Sequence, residues 1–334
     1  MSSARGQALA AWLWYGASPL AWPLIPFSWL YGGIVWVRRA CYRRGWLRAR
    51  HPGVPVIVVG NVTAGGTGKT PVVAWLAAQL QARGFAPGIV SRGYGRRGHG
   101  QPLRVTATTA VEVAGDEPLL LAQSTGVPVA VCTDRYAAAQ ALVADGVQVI
   151  IADDGLQHYA LARDLEIVVI DGERRFGNGR LLPAGPLREP ASRVAEAGLV
   201  LVNGGTPLPG IRGFRLQVRA AVRLADGVER PLEAFAGSRA WMVAGIGNPE
   251  RFRAELQRRG IEVDQVPVGD HGRVDLAALR RSAAQPILMT AKDAVKYRPC
   301  SEPDAWAVPV DVEMDAEAES LIMTRVLAVA GGSR

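Results

Sequence analysis

Eight consecutive residues have the composition of a phosphate-binding loop, and they are Thr63, Ala64, Gly65, Gly66, Thr67, Gly68, Lys69 and Thr70. They lie between a predicted buried strand at residues 56–59 and a predicted helix at residues 70–83. In such a loop, backbone N–H groups and the helix N-terminus bind phosphate oxygens, the lysine reaches the β- and γ-phosphates, and the threonine hydroxyl binds Mg²⁺. Although Thr63 replaces the first glycine of the pattern, the loop predicts a nucleoside triphosphate site.

Lysine is rare in this chain. Only Lys69, Lys292 and Lys296 are lysines among the 38 basic residues. Because a compact ammonium group and a planar guanidinium are not interchangeable, each lysine is a candidate for chemistry that arginine cannot perform. One of the three lies in the phosphate-binding loop, and the role of the other two is left open.

Two carboxylates follow a predicted strand at residues 147–152. Asp153 and Asp154 stand where an acid at the end of a buried strand holds Mg²⁺ or its water in a P-loop enzyme. The alternative is a turn formed by Asp154 and Gly155. His158 follows closely, and its type allows either the orientation of an acid or the capping of a loop.

A third carboxylate, Asp116, precedes a predicted apolar helix at residues 119–123. Its position fits a helix N-cap, and it equally fits a general base that takes the proton of an attacking hydroxyl. Asp270 and His271 lie in a predicted loop far along the chain, where an aspartate beside a histidine suggests a polarising partner, and the commoner alternative is an isolated surface histidine.

Two further loops carry arginine. Arg92 and Tyr94 follow a predicted strand at residues 88–90, where an arginine would face a ligand phosphate. Arg188 and Glu189 lie in a rigid segment bounded by prolines at residues 182–190. Binding and catalytic residues are concentrated in loops that a rigid scaffold positions, so both loops are candidates for ligand contact.

The elements that must position these residues alternate between short apolar strands and helices. Continuous rather than alternating apolar runs predict a parallel sheet covered by helices on both faces. Residues 214–222 alternate between apolar and polar side chains, which predicts an exposed ribbon or edge hairpin. Further strands and helices after residue 240 predict a second, smaller α/β unit. The fold class is therefore α/β.

The N-terminus differs from the rest of the chain. Residues 8–37 carry no charge, six tryptophans lie within the first 46 residues, and an arginine cluster at residues 38–50 follows. Tryptophan is enriched at membrane interfaces and arginine binds anionic head groups. We expect a membrane-associated helix at about residues 27–37, either spanning or lying in the interface, because prolines interrupt the run before it. The alternative is a buried hairpin of a soluble protein.

Composition bounds the class of protein. Hydrophobic residues make up 49% of the chain and charged residues 20%, which is typical of a globular protein and not of a disordered one. The net charge of +8 favours an anionic partner such as phosphates, nucleic acid or an acidic membrane surface. Three scattered cysteines support neither a disulfide framework nor a zinc cluster.

Taken together, these ordered strings resemble the tetraacyldisaccharide 4'-kinase family of lipid A biosynthesis. The most specific are Asp153-Asp154-Gly155-Leu156-Gln157-His158 and Gly185-Pro186-Leu187-Arg188-Glu189-Pro190. The resemblance runs from the Trp-rich N-terminus to about Lys296. One departure is Ala291, where the family pattern has glutamate.

The resemblance implies a kinase that uses ATP and Mg²⁺ at the cytoplasmic face of a Gram-negative inner membrane. Its acceptor would be the 4'-hydroxyl of an acylated glucosamine disaccharide 1-phosphate, with no nucleic acid partner. It also implies an Asp116–His271 base pair and two α/β units joined by a two-stranded ribbon.

We predict four segments: a membrane-associating region at 1–50, a P-loop kinase core at 51–205, a ribbon at 206–236 and an α/β domain at 237–334. Two alternatives remain open: a membrane-associated ATPase switch of the partitioning or targeting type, and a non-catalytic nucleotide-binding scaffold. Many such switches carry a second lysine near the start of the loop, where this chain has Ala64.

Overall fold

The computed structural model describes residues 4–16, 18–93, 100–205, 210–218, 220–269, 272–297 and 300–332. Contacts group the chain into two compact units. The larger contains Leu9–Leu216 and Val312–Arg334, and the smaller contains Gln217–Asp311 with Met1–Ala8. The finer division at residues 50, 205 and 236 stays a prediction.

The strands are, in chain order, β1 (Val56–Gly60), β2 (Pro87–Ser91), β3 (Leu103–Val105), β4 (Val129–Val131), β5 (Val149–Asp153), β6 (Leu165–Asp171), β7 (Leu199–Asn203), β8 (Arg212–Gln217), β9 (Ala220–Arg223), β10 (Glu229–Pro231), β11 (Arg239–Val243), β12 (Glu262–Val266), β13 (Ile287–Thr290), β14 (Ala305–Val308) and β15 (Asp311–Glu313). The α-helices are α1 (Ala4–Tyr15), α2 (Ile25–Arg43), α3 (Lys69–Ala82), α4 (Val111–Ala114), α5 (Asp116–Thr125), α6 (Arg135–Ala144), α7 (Pro249–Arg258), α8 (Leu276–Ser282), α9 (Ala291–Ala294) and α10 (Ala316–Gly331). Four 3₁₀ helices cover Pro19–Leu24, Ala191–Glu196, Leu232–Phe235 and Val295–Tyr297.

The larger unit is built on a nine-stranded sheet in the order β15-β8-β7-β6-β1-β5-β2-β4-β3. The strands from β8 to β4 pair in parallel, and β3 joins β4 antiparallel at the edge. The β1 side chains of residues 56–59 have no exposed surface, as expected of a strand covered on both faces. The predicted parallel α/β core is confirmed.

Parallel strands place their carboxyl ends at one edge of the sheet, where ligands of open α/β sheets bind. In the larger unit the P-loop follows β1, Asp153 ends β5, Ser91 ends β2 and Asn203 ends β7. The topology therefore brings the predicted phosphate loop and the strand-end carboxylates to the same edge.

The smaller unit holds a six-stranded sheet in the order β10-β9-β14-β13-β11-β12. The alternating stretch at residues 214–222, predicted as an exposed ribbon or edge hairpin, is divided between β8, which pairs in parallel with β7, and β9, which pairs antiparallel with β14 and with the edge strand β10. The antiparallel edge pair therefore joins β9 to β10, because alternation indicates a strand with one solvated face and does not identify its partner.

The N-terminal helix α2 is longer than predicted. It begins at Ile25, with Pro26 in the first turn where a proline is tolerated, and continues to Arg43. The segment Pro19–Arg43 has a mean hydropathy of 1.4 over its most apolar 18 residues, so it is long and apolar enough to cross a membrane by length and composition. Only 11% of those residues are buried. Exposure on this scale excludes the buried hairpin.

Candidate active site

The P-loop of residues 61–68 joins β1 to α3. Gly65 and Gly68 have φ angles of +105° and +94°, which residues with a Cβ rarely adopt. Gly68 caps α3 and has no side chain to satisfy the first N–H groups of that helix. Such groups bind anions, so the loop fits the predicted phosphate cradle.

Lys69, the first residue of α3, carries the ammonium group of the site. Its Nζ lies 3.1 Å from Asn61 Oδ1 and 3.5 Å from Asp154 Oδ1. The lysine side chain is 11% exposed to solvent. One amide and one carboxylate therefore hold the charge in place while leaving part of it accessible to a phosphate.

Two asparagines that the sequence analysis missed support the loop. Asn61 Nδ2 donates to Thr63 Oγ1 and to the Gly65 carbonyl, each at 3.4 Å. Asn203 Nδ2 donates to the Thr67 carbonyl at 3.0 Å. Both asparagines are buried at the ends of strands, and a polar residue directly after a buried strand is the signal that could have identified them.

Asp154 is engaged by two cations. Arg188 Nη1 donates to Asp154 Oδ1 at 3.0 Å and to Oδ2 at 2.9 Å, on the side chain that also meets Lys69. Burial alone would raise the pKa of Asp154, but the charges of Lys69 and Arg188 hold it well below its usual range. Arg188 belongs to residues 181–188, which we call the Arg188 loop.

Asp153 has the opposite environment. The residue is 1% exposed, and neither carboxylate oxygen has a hydrogen-bond partner among the described residues. Burial, and then the charges of Glu117 and Asp154, raise the pKa of Asp153 to about 7. A buried carboxylate whose oxygens lack hydrogen-bond partners among the described residues fits a cation site.

A buried arginine, also missed, holds the backbone of both aspartates. Arg135 Nη2 donates to the carbonyls of Asp153 at 3.3 Å and Asp154 at 2.8 Å. Burial lowers the pKa of Arg135 to about 10, and the two aspartates oppose that shift. Nearby, burial followed by the charges of Arg135 and Arg163 lowers the pKa of His158 to about 4, so this histidine stays neutral.

Asp116 is the first residue of α5 and is 5% exposed. The next residue, Glu117, raises the pKa of Asp153 through its charge. The N-terminus of α5 therefore lies within electrostatic reach of the strand-end carboxylates. A helix N-terminus favours the ionised form of an acid, which a general base requires.

The structure describes only some of the other predicted site residues. Arg92 is exposed directly after β2, and its charge contributes to lowering the pKa of Arg135. Tyr94 and His271 lie outside the described residues. Glu189 is 1% exposed and accepts a hydrogen bond from Tyr159 Oη at 2.6 Å, which favours a supporting role over direct contact with a ligand.

Mg²⁺ would find Thr70 and Asp153 as candidate ligands. Within the described part of the chain, no group of three or more His, Cys, Asp or Glu residues could hold a metal ion. Mg²⁺ in a nucleotide site commonly keeps several waters and binds through one or two carboxylates together with substrate phosphates.

Comparison with known proteins bears on this site. A family model described as Tetraacyldisaccharide-1-P 4'-kinase, LpxK, matches residues 20–327. The chain is similar to the ATP complex of LpxK from Aquifex aeolicus, with 30% identity, a TM-score of 0.75, and coverage of 93% of this chain and 99% of that one. Its likeness to the GDP complex of the signal recognition particle receptor FtsY from Elizabethkingia anophelis is slight, with 18% identity, a TM-score of 0.30, and coverage of 45% of this chain and 49% of that one.

Proposed function

The chain belongs to the tetraacyldisaccharide 4'-kinase family and is an ATP-dependent kinase of lipid A biosynthesis, and we propose that its acceptor is the 4'-hydroxyl of an acylated glucosamine disaccharide 1-phosphate. The observation that carries the proposal is the meeting of Lys69 and Arg188 on the single carboxylate of Asp154 beside the P-loop. Two cations held by one anion leave a net positive charge, which suits a reaction between two phosphorylated substrates.

ATP would bind along the P-loop, with its phosphates on the backbone of residues 63–70 and the N-terminus of α3. Lys69 then exchanges its contact with Asp154 for the β- and γ-phosphates. Arg188 stabilises the charge that develops on the transferred phosphoryl group, since preorganised cations aimed at that charge are the main source of catalysis in such enzymes.

Thr70 and Asp153 are the residues that would hold Mg²⁺. The unpartnered carboxylate of Asp153 supports this assignment, whereas Asp154 is already shared between two cations and is the second candidate. When bound, Mg²⁺ neutralises charge on the β- and γ-phosphates.

Asp116 is the proposed general base, and His271 its polarising partner. A sugar hydroxyl is a poor nucleophile, and its proton must be taken as the bond to phosphorus forms. The burial of Asp116 at the start of α5 and the proximity of Glu117 to Asp153 support this role.

The acceptor's existing phosphate would meet Arg92 and Tyr94, with Arg188 on the reacting side. Glu189 follows Arg188 in the chain, and its Oε2 lies 3.4 Å from Arg193 Nε, within a buried group of charges. We therefore assign Glu189 to substrate binding through its neighbours.

We place the enzyme at the membrane through the segment Pro19–Arg43, which includes helix α2 and is long and apolar enough to span it, and on the cytoplasmic face of the inner membrane. The exposed apolar surface of α2 would insert among lipids, and the arginines that follow would bind anionic head groups. A lipid acceptor explains why a kinase needs such an anchor, and the basic charge requires no nucleic acid partner.

The test is ADP release from purified protein in mixed micelles, with and without the acylated disaccharide 1-phosphate. A kinase requires the lipid, an ATPase switch hydrolyses ATP without it, and a scaffold releases no ADP in either case. Lys69→Ala is the control that assigns the activity to this site.

A further inference from the structure

Helix α2 has a packed face and an exposed face. Helical spacing places four residues on the packed side, namely Ser28, Tyr31, Gly32 and Arg39, all buried or half-buried. Elsewhere on the helix, the apolar side chains of Trp29, Leu30, Ile34 and Trp36 are between 60% and 74% exposed. The helix therefore contacts the protein through only part of its circumference.

The packed face is hydrogen-bonded to the Arg188 loop. Ser28 Oγ donates to the Leu181 carbonyl at 2.8 Å and accepts from the Ala184 N–H at 3.0 Å. Tyr31 Oη donates to the Arg188 carbonyl at 3.0 Å. Two side chains one helical turn apart thus fix both ends of the loop.

The same loop is hydrogen-bonded to the site. The Arg188 N–H donates to the Val62 carbonyl at 2.7 Å, and the Ala64 N–H donates to the Pro186 carbonyl at 2.7 Å. The Arg188 guanidinium meets Asp154 at 2.9 and 3.0 Å. A continuous series of contacts therefore runs from α2 through the loop to the P-loop and the strand-end carboxylate.

We propose that Ser28 and Tyr31 are positioning residues of the kinase site, acting through the Arg188 loop to hold the guanidinium beside Asp154. The inference rests on the proposed function, in which Arg188 stabilises the transferred phosphoryl group. The apolar anchor is then part of the framework of the site, and its two faces have separable tasks. The packed face sets turnover, and the exposed face sets membrane association.

Tyr31→Phe tests this directly, because it removes one hydroxyl and keeps the ring. We expect kcat in mixed micelles to fall roughly 3–10-fold, the usual effect of one lost hydrogen bond, with KM for ATP and flotation with anionic vesicles unchanged. Tyr42→Phe is the matched control: Tyr42 lies on the same helix and contacts Tyr159 through its ring, and its hydroxyl has no hydrogen bond to the described residues. Equal kcat in both variants would overturn the proposal.

Ser28 offers a second matched pair. Ser28→Thr and Ser28→Val add the same methyl group to a buried site, but only threonine keeps the hydroxyl. We expect Ser28→Val to have the lower kcat by roughly 5-fold or more, because it leaves the Ala184 N–H without its acceptor. Equal kcat in the two variants would contradict a positioning role.

Two measurements separate positioning from a general loss of structure. In an Arg188→Ala background, Tyr31→Phe should change kcat less than 2-fold, since residues that act as one unit are not additive. A full additional loss would show that Tyr31 does not act through Arg188.

Hydrogen exchange of peptides from the Arg188 loop requires no turnover. It should be faster in Tyr31→Phe and Ser28→Val than in Tyr42→Phe and Ser28→Thr, even if the wild-type protein transfers no phosphate to the lipid. Unchanged exchange would overturn this inference alone, whereas absent lipid-dependent transfer by the wild type would overturn the proposed function.

Discussion

The chain contains two lysine–aspartate pairs that differ in almost every physical respect. In the larger unit, Lys69 Nζ lies 3.5 Å from Asp154 Oδ1, and the two side chains are 11% and 30% exposed. In the smaller unit, Lys296 Nζ lies 2.8 Å from Asp293 Oδ1, and the side chains are 2% and 0% exposed. We call the first pair, which is longer and accessible, the open pair, and the second pair, which is shorter and buried, the sealed pair.

The partners explain the difference. Asp293 Oδ2 accepts from the Gly245 N–H at 2.8 Å and from Thr290 Oγ1 at 2.6 Å, and Lys296 Nζ also donates to the Gly272 carbonyl at 3.1 Å. The buried pair is thus satisfied by its own unit. A charge that is only partly paired can bind a ligand, whereas a saturated one holds loops together, and neither role can be read from residue type.

The largest effect is expected at Asp116, the proposed general base. Asp116→Ala should lower kcat by roughly 10²–10⁴, the usual contribution of a general base, with little change in ATP affinity. His271→Ala should lower kcat less, and the double variant should match Asp116→Ala, because residues acting as one unit are not additive. Steady-state kinetics and nucleotide titration check this. Multiplicative losses would mean that the two residues act independently.

The sealed pair should act on stability. Lys296→Met leaves Asp293 buried without its cation and should lower the free energy of unfolding by about 3–5 kcal/mol, whereas kcat per folded molecule should fall no more than in His271→Ala, since Lys296 Nζ contacts the carbonyl of Gly272, the residue after His271. Urea denaturation provides the measurement, and Lys296→Met combined with Asp293→Asn should recover part of the loss. A Lys296→Met protein of normal stability would contradict the structural role of the pair.

The open pair should act on turnover instead. Lys69→Ala should raise the activation barrier by about 2–4 kcal/mol, by analogy with the loss of one preorganised donor, and leave the urea midpoint unchanged. Lys69→Arg should also fail, because a planar fork does not replace a compact ammonium. If Lys69→Arg turned over normally, the P-loop assignment would be wrong.

The smallest predicted effect distinguishes two carboxylates that each end a strand, Asp153 and Asp171. Asp153→Asn should raise the Mg²⁺ concentration for half-maximal activity roughly 10–100-fold, as loss of a metal-supporting group does. Asp171→Asn is the matched control, because Asp171 ends β6, which lies on the other side of β1, but accepts hydrogen bonds from the N–H groups of Glu173 and Arg174. A similar Mg²⁺ requirement in both variants would remove Asp153 from the metal site.

The sequence was sufficient to predict a feature where the residues that form it are contiguous in the chain. The P-loop, the strands that precede each carboxylate and the parallel sheet all follow from neighbouring residues, because loop, strand and helix lie in one stretch of chain. The contacts of Asn203 and Arg188 could not be predicted, since they join residues that are distant in sequence. Asp153 and Asp154 are adjacent in sequence, yet only Asp154 meets Lys69 and Arg188, and the distance of Arg188 along the chain hides this difference from a local pattern.

The N-terminus illustrates the same limit. Its lack of charge and its tryptophans predicted an apolar helix, because hydropathy depends on composition alone. That one face of this helix is hydrogen-bonded to the Arg188 loop depends on Ser28 and Tyr31 meeting carbonyls far along the chain. Deletion of residues 1–37 should therefore impair turnover as well as membrane association.

Transfer of labelled γ-phosphate from ATP to the acylated disaccharide 1-phosphate tests the central claim most directly, with wild type, Lys69→Ala and Lys296→Met compared per folded molecule. We predict that labelled lipid forms with the wild type and with Lys296→Met, increases with acceptor concentration, and is nearly abolished by Lys69→Ala. Equal labelling by Lys69→Ala, or ATP hydrolysis by the wild type that is independent of the lipid, would contradict the account.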